Sequence, residues 1–193
     1  MSYVRQPNIQ IHSYTNTLKM AKKQTKLTKK TTKKAPKQNL FLPAIIIGIL
    51  AFAIYSNTLR HQYTLDDASA ITDNRITKKG IDGIPTIFKT HYRYGYWNSP
   101  GELYRPVTLA MFALEWQISP ENPFIGHLMN VIFYALTGAL LFVFLAQIFR
   151  GNSLLLPFFA TLIFVAHPVH VEVVANIKSR DEIMAFLGCL GAV

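Results

Sequence analysis

Apolar runs of helical length alternate with polar segments along the chain, and this pattern predicts an all-α, multi-span membrane protein. A helix needs about 20 apolar residues to cross a bilayer. The runs cover residues 40–59, 125–149, 154–170 and 183–193. In the third run only residues 154–166 are clearly apolar, so this helix is expected to tilt or to continue past Pro168. The fourth run ends with the sequence after 11 residues, and we therefore expect the sequence to be the N-terminal part of a longer protein.

A long polar segment, residues 60–124, separates the first two runs and predicts an outer loop that folds onto the membrane. Within it, residues 84–88 have the apolar spacing of a short surface helix. Residues 107–118 predict a longer helix that begins at Pro106, where the missing N–H costs little. This second helix contains Glu115 and is too short to span a bilayer, so we expect it to be interfacial or partly buried.

The charge is divided unevenly along the chain. Residues 1–39 contain ten of the 20 Lys and Arg residues and no Asp or Glu, so the net charge of +10 belongs to this segment. Its Lys-, Thr- and Gln-rich composition predicts a disordered tail, and the positive-inside rule predicts that the N-terminus is cytoplasmic. Nucleic-acid binding is the alternative interpretation, but few aromatic residues accompany the lysines, and nucleic acid is not expected as a partner. The single cysteine, Cys189, excludes an internal disulfide.

Two polar clusters follow apolar runs. Asp66 and Asp67 follow the first run, and residues 167–182 follow the third. If each of the first three runs crosses the membrane, an even number of crossings separates the two clusters, and they lie on one face. The cytoplasmic tail makes this the extracytoplasmic face. The two clusters can therefore form one site.

The acidic pair has three interpretations from the residues alone. Asp66 and Asp67 can bind a divalent cation, act as a general base or cap a helix. The catalytic interpretation is favoured, because a second polar cluster is expected on the same face. No metal is assigned, and a divalent cation stays an open option as cofactor.

The second cluster contains candidate phosphate ligands. His167 and His170 make a weak zinc pair, because only Glu172 is near them in sequence, and hydrogen bonding to a phosphate or to Glu172 is preferred. Arg180 and Asp181 can contact a phosphate or can equally form a salt-bridged start of a helix.

Arg105 is a further cation, and it directly precedes a helix N-terminus at which an anion would be favoured.

Five motifs that include these candidate site residues resemble, in order and spacing, the TMTC family of transmembrane and tetratricopeptide-repeat protein O-mannosyltransferases. The motifs are Leu65-Asp66-Asp67, Tyr104-Arg105-Pro106-Val107-Thr108, Asn122-Pro123-Phe124, Gly126-His127 with Asn130, and His167-Pro168-Val169-His170-Val171-Glu172 followed by Ser179-Arg180-Asp181.

The resemblance implies a GT-C membrane fold with an extracytoplasmic site. It implies that a sugar is transferred, with inversion, from a polyprenyl-phosphate carrier to a protein hydroxyl or a glycan acceptor, with membrane lipid around the enzyme. Asp66 or Asp67 is then the catalytic acid of the first outer loop. The residues that organise the donor phosphate and the loops are Arg105, His167, His170, Glu172, Arg180 and Asp181.

The family carries more spans and a tetratricopeptide array, and no 34-residue repeat occurs within these residues. We therefore do not expect residues 40–193 to be active alone. The bacterial cytoplasmic membrane is the expected location, in preference to the endoplasmic reticulum. The alternative function is a non-catalytic membrane scaffold for a tetratricopeptide-repeat interaction domain. A transporter ranks last, because the apolar runs contain almost no ionisable residues.

Overall fold

The computed structural model describes residues 38–97, 103–149 and 153–192, and every regular element within these ranges is helical. The α-helices are α1 Phe41–Tyr55, α2 Leu65–Asp67, α3 Ile84–Ile87, α4 Pro106–Ile118, α5 Phe124–Ile148, α6 Leu155–Ala166, α7 Val171–Ala175 and α8 Arg180–Gly191. The shorter turns are 3₁₀ at Ser56–Arg60, Thr77–Gly83, Pro168–His170 and Ile177–Ser179, and π-helical at Ala68–Thr72. The all-α prediction is confirmed for these residues. The predicted disordered tail, residues 1–39, lies almost entirely outside them.

Two helical segments are long and apolar enough to cross a membrane. They are Phe41–Arg60, which combines α1 with the following 3₁₀ turn, and α5, Phe124–Ile148. Their outward faces are apolar: Phe41 and Ile49, for example, are 73% and 63% exposed. Large exposed apolar faces of this kind are typical of contact with lipid.

The helices α1, α5 and α6 pack around one apolar cluster, here called the bundle core. Its buried members are Ile47, Ala51, Tyr55, Val131, Tyr134, Phe142, Val165, Val174 and Ile183. Gly138 of α5 lies at its centre, and a Cβ on this residue would be only 2.8 Å from Cγ1 of Val165. The missing side chain therefore allows α6 to approach α5 closely, as small residues commonly do between membrane helices.

The third apolar run forms two helices that are bent by 48° relative to each other. The bend is at His167, whose backbone is extended with a ψ of 127°. A residue before proline is disfavoured in the helical conformation, so Pro168 explains why α6 ends here. If this bent pair counts as one segment, the described residues contain up to three candidate spans.

Residues 63–97 fold with α4 into a second cluster, here called the loop core. Its buried members are Ala70, Ile71, Ile76, Ile87, Tyr92, Leu109, Phe112, Ala113, Trp116 and Ile177. Buried Asn74 organises the irregular backbone: its side-chain oxygen accepts hydrogen bonds from the N–H groups of Ile76 and Thr77 at 3.0 and 3.2 Å, and its amide donates to the Ser69 carbonyl at 3.2 Å. The predicted helix of residues 107–118 is present as α4. The predicted surface helix around residues 84–88 is the single turn α3.

Candidate functional site

The two adjacent carboxylates of α2 have different surroundings. Asp67 is fully buried, whereas the side chain of Asp66 is 63% exposed. One oxygen of Asp67 accepts from the backbone N–H and the hydroxyl of Thr64, at 2.8 and 3.0 Å. Its other oxygen accepts from the backbone N–H of Lys178 at 2.8 Å. Asp67 therefore has its charge satisfied inside the protein, and Asp66 presents an exposed carboxylate to the outside.

Lys178 joins the two polar clusters that the sequence separates by more than 100 residues. Its backbone N–H binds Asp67, and its ammonium lies 3.8 Å from a carboxylate oxygen of Asp66. The hydroxyl oxygen of Thr64 also lies 3.4 Å from the side-chain oxygen of Asn176. The outer loop and the turn Ile177–Ser179 are thus in direct contact through side chains and backbone.

Asp66 lines an open cavity of about 600 Å³ between these segments. The other lining residues are His61, Thr64, Val171, Glu172, Ala175 and Asn176. The exposed side chains of Asp66 and Glu172 therefore face a common space. Val171 and Ala175 supply apolar lining from α7, the helix that also carries Glu172.

Tyr63 packs against the loop core and directly precedes Thr64, which lines this cavity. Burial, together with the negative charge of Asp67, raises the pKa of Tyr63 to about 12. Its phenol therefore keeps its proton at neutral pH and adds no negative charge to the loop.

Arg105 and Asp181 form an ion pair at the entrance to α4. The Arg105 side chain is 39% exposed and that of Asp181 is 11% exposed. Both line a second cavity, of about 410 Å³, together with Tyr104, Pro106, Val107, Thr108, Glu182 and Ala185. A half-exposed guanidinium beside the first turn of a helix is a favourable place for an anion.

His167 and His170 lie at the bend between α6 and α7. Nδ1 of His167 accepts from the backbone N–H of Val169 at 3.2 Å, and its carbonyl accepts from the Tyr55 hydroxyl at 3.3 Å. The ring of His170 packs on Phe164, with a centroid distance of 4.4 Å, and lines a smaller cavity of about 160 Å³ with Glu182. Neither imidazole lines the Asp66 cavity, so the structure relates these two residues to the bend.

Arg180 is fully buried among three helices. Its guanidinium forms a two-point ion pair with Glu115 of α4, and it donates to Oδ1 of Asn130 at 2.8 Å and to the Gly126 carbonyl at 2.9 Å. It also lies 4.7 Å from the centre of the Phe112 ring. Contact with a phosphate would require Arg180 to leave these partners, and this geometry favours the predicted alternative of a salt bridge at the start of a helix.

The partner of Arg180 was not predicted, because Glu115 is 65 residues away and its helix reads as interfacial. Burial raises the pKa of the Glu115 carboxyl, and the guanidinium of Arg180 offsets part of that rise. The pair therefore connects α4 to α8 inside the protein and not at a lipid surface. Its only signal in the sequence is one acidic residue in an otherwise apolar helix.

The candidate residues therefore divide into groups. Asp66 and Glu172 line one cavity, Arg105 and Asp181 line another, and Asp67 and Arg180 are buried between helices. Lys178, absent from the predicted set, contacts both acidic residues of α2. Among the described residues, no group of three or more His, Cys, Asp and Glu side chains is arranged to hold a metal ion.

Comparison with known proteins shows similarity to animal O-mannosyl-transferases. The chain is 31% identical to protein O-mannosyl-transferase TMTC3 of Homo sapiens over 160 residues, which cover 80% of this chain and 16% of that protein. It is 33% identical to TMTC2 of Homo sapiens over 151 residues, covering 74% of this chain and 17% of that protein. It is 32% identical to TMTC1 of Mus musculus over 152 residues, covering 76% and 16%.

These similarities confirm the resemblance that the motifs predict. The chain spans about a sixth of the length of these relatives. They are animal proteins, and they give no support to the expectation of a bacterial membrane. No protein-family model matches the chain. No solved structure matches it.

Proposed function

We propose that this chain, a relative of the TMTC protein O-mannosyl-transferases, contributes the catalytic outer loop of a membrane glycosyltransferase. The proposed reaction transfers a mannose-like sugar from a polyprenyl-phosphate carrier to a protein hydroxyl on the extracytoplasmic face. One observation carries the proposal: Asp66 presents an exposed carboxylate to a cavity of about 600 Å³, while its neighbour Asp67 binds the loop to the second polar cluster.

Asp66 is the proposed general base. The acceptor hydroxyl attacks the anomeric carbon of the sugar, the bond from that carbon to the phosphate oxygen breaks, and the phosphate leaves with the electron pair. The hydroxyl proton passes to the Asp66 carboxylate. Such a base must lie within hydrogen-bond reach of the acceptor, and an exposed carboxylate in a cavity wall satisfies this requirement. Asp67 has its acceptor sites occupied by Thr64 and Lys178, so its proposed role is to position Asp66.

The leaving phosphate needs cations that stay partly exposed within their ion pairs, as Lys178 does with Asp66 and Arg105 does with Asp181. Lys178 is adjacent to Asp66, and Arg105 is half-exposed in the second cavity. Donors that face developing negative charge stabilise a transition state in which a phosphate departs. We assign these two residues to the phosphate, Glu172 to the wall of the acceptor cavity, and His167 and His170 to the bend. Asp181 holds Arg105, and Arg180 supports the turn that carries Lys178.

The test compares three carboxamide substitutions in the protein expressed from its complete reading frame. Asp66→Asn should lower sugar transfer about 100- to 10,000-fold, because the base is lost, while membrane insertion and detergent stability persist. Asp67→Asn should instead destabilise the loop, because in either orientation the new amide nitrogen faces a backbone N–H, of Thr64 or of Lys178. Asp82→Asn is the matched control, since Asp82 is an exposed carboxylate of the same outer loop and lines none of the cavities described above.

The assay uses polyprenyl-phosphate mannose as donor and measures label transferred to membrane protein. Full transfer by the inserted Asp66→Asn protein would exclude the base role. If that protein also keeps its binding partners in a pull-down, the scaffold function becomes the better account.

A further inference from the structure

Asn130 connects the buried cation Arg180 to the turn that carries Lys178. Its amide nitrogen lies within reach of three backbone carbonyls at the end of α7 and the turn after it: Asn176 at 3.0 Å, Val174 at 3.4 Å and Ile177 at 3.5 Å. The carbonyls of Asn176 and Ile177 also accept from the backbone N–H groups of Ser179 and Arg180. Asn130 adds a donor from a different helix, so the backbone of the turn is bound to α5.

Arg180 determines which way the Asn130 amide faces. Its Nε donates to Oδ1 of Asn130 at 2.8 Å, and a guanidinium has no acceptor, so the oxygen of the amide must face Arg180. The amide nitrogen then faces the carbonyls. Glu115 and the Gly126 carbonyl fix the guanidinium in turn. The orientation of the Asn130 amide therefore depends on the ion pair of Arg180 and Glu115, which lines none of the cavities described above.

Close packing allows this arrangement. A Cβ on Gly126 would be 2.8 Å from Cδ1 of Ile177, so a side chain at this position would push the turn away from α5. With Ile177 against Gly126, the next residue of the turn, Lys178, has its N–H on Asp67 and its ammonium 3.8 Å from Asp66.

We propose that Asn130, oriented by Arg180, is a positioning residue that sets the place of Lys178 relative to Asp66 in the reaction. This inference rests on the proposed function, because it needs Asp66 and Lys178 to act on the substrates. Asn130 itself touches neither the Asp66 cavity nor the Arg105 cavity. Its effect passes through the turn and through Asp67.

The test variant is Asn130→Asp. It keeps an oxygen for Arg180 and nearly the same shape, but it replaces the donor that faces the carbonyls by an acceptor. A displacement of the turn by about 1 Å should lower kcat on the order of 100-fold, with little change in the KM for polyprenyl-phosphate mannose. Asn130→Ala is the second variant, and it should also lower kcat with little change in KM. Thr137→Val is the control, since Thr137 is a buried residue of the same helix whose hydroxyl bonds only within α5, to the Phe133 carbonyl at 2.8 Å.

A double-mutant cycle separates positioning from general destabilisation. If Asn130 acts through the contact between Lys178 and Asp67, the double variant Asn130→Ala, Asp67→Asn should have a kcat no lower than that of the more impaired single variant. Additive effects on kcat would overturn the proposal, since a loss of overall stability has no reason to pass through Asp67.

A second readout does not depend on activity. In a Cys189→Ser background, Thr64→Cys and Asn176→Cys place two thiols where side-chain oxygens are now 3.4 Å apart, and their oxidation rate reports the contact between loop and turn. Asn130→Asp should slow this cross-link several-fold, and Thr137→Val should not. An unchanged cross-link rate, or a slower cross-link with an unchanged kcat, would overturn the inference. A different result is that the protein without these substitutions transfers no sugar while Asn130→Asp still slows the cross-link. That result would contradict the proposed function, but not the structural link between Asn130 and the turn.

Discussion

The bundle core and the loop core are built on different principles. The bundle core joins continuous helices by apolar contact, and the buried hydroxyls of Thr137 and Thr161 donate to carbonyls of their own helices. The loop core surrounds short turns, and beside it lie the fully buried polar side chains of Asp67, Asn130 and Arg180. Straight helices satisfy their own backbone groups, whereas irregular backbone needs partners from side chains. The region proposed to perform chemistry is therefore the one whose shape depends on individual hydrogen bonds.

The strongest test of this difference removes the charge at the centre of the polar network. Arg180→Met keeps much of the volume but leaves Glu115 and Asn130 buried without their partner. Loss of one member of a buried ion pair typically costs about 3–5 kcal/mol, and we expect a loss of that size in the free energy of unfolding. Thermal unfolding of the detergent-purified protein, with protease resistance of the outer loop, measures it.

Arg105→Gln is the companion of that experiment. Arg105 is also paired with an acid, but the pair lines a cavity, with side-chain exposures of 39% for Arg105 and 11% for Asp181. Because Asp181 loses its charge partner while the pair is only partly buried, we expect a smaller loss, of about 1–3 kcal/mol. Equal losses for the two arginine variants would contradict the distinction between a structural and an accessible cation.

The bundle core should be sensitive to shape where the loop core is sensitive to hydrogen bonding. Gly138→Ala adds one carbon, which would lie 2.8 Å from Val165 and 3.4 Å from Ile47. We expect a destabilisation of about 1–3 kcal/mol from overpacking, seen as a lower midpoint of thermal unfolding. Gly188→Ala in α8 is the control, because a Cβ there meets no atom within 4 Å. If Gly138→Ala is as harmless as the control, close helix packing does not limit this core.

The smallest expected effects come from removing one hydroxyl in each core. The Tyr134 hydroxyl of the bundle core donates to the Val165 carbonyl at 3.2 Å, so Tyr134→Phe should cost about 0.5–1.5 kcal/mol. The Tyr92 hydroxyl of the loop core is buried without a hydrogen-bond partner among the described residues, so Tyr92→Phe should be neutral or slightly stabilising. Chemical denaturation measures the change in the free energy of unfolding for each variant. A larger loss for Tyr92→Phe than for Tyr134→Phe would contradict this prediction.

Periodicity and length predict the helices well, because these properties are local. The apolar run 40–59 contains α1, the run 125–149 matches α5 to within one residue at each end, and Pro106 is the first residue of α4 as predicted. Counting crossings also places the acidic pair and residues 167–182 on one face, and the contact of Asp67 with Lys178 agrees with that prediction.

The roles of individual polar residues could not be predicted in the same way. Asp66 and Asp67 are identical in type and adjacent in sequence, and only the folded chain distinguishes an exposed carboxylate from a buried one. Arg180 and Arg105 form ion pairs with Glu115 and Asp181, and both partners are more than 60 residues away in the sequence. Pairings at such separations depend on tertiary packing, which local patterns do not contain.

The adjacency of Asp66 and Asp67 imposes a condition on angle as well as on distance. Successive residues of an α-helix point about 100° apart around its axis. Because Thr64 and Lys178 fix the direction of Asp67, they also fix the direction in which Asp66 leaves the helix. A residue inserted between the two acids would rotate Asp66, together with Thr64 before it, away from its present direction relative to Asp67. The register of the three residues of α2 thus determines the direction of the Asp66 carboxylate, and the insertion of one residue would be enough to change that direction.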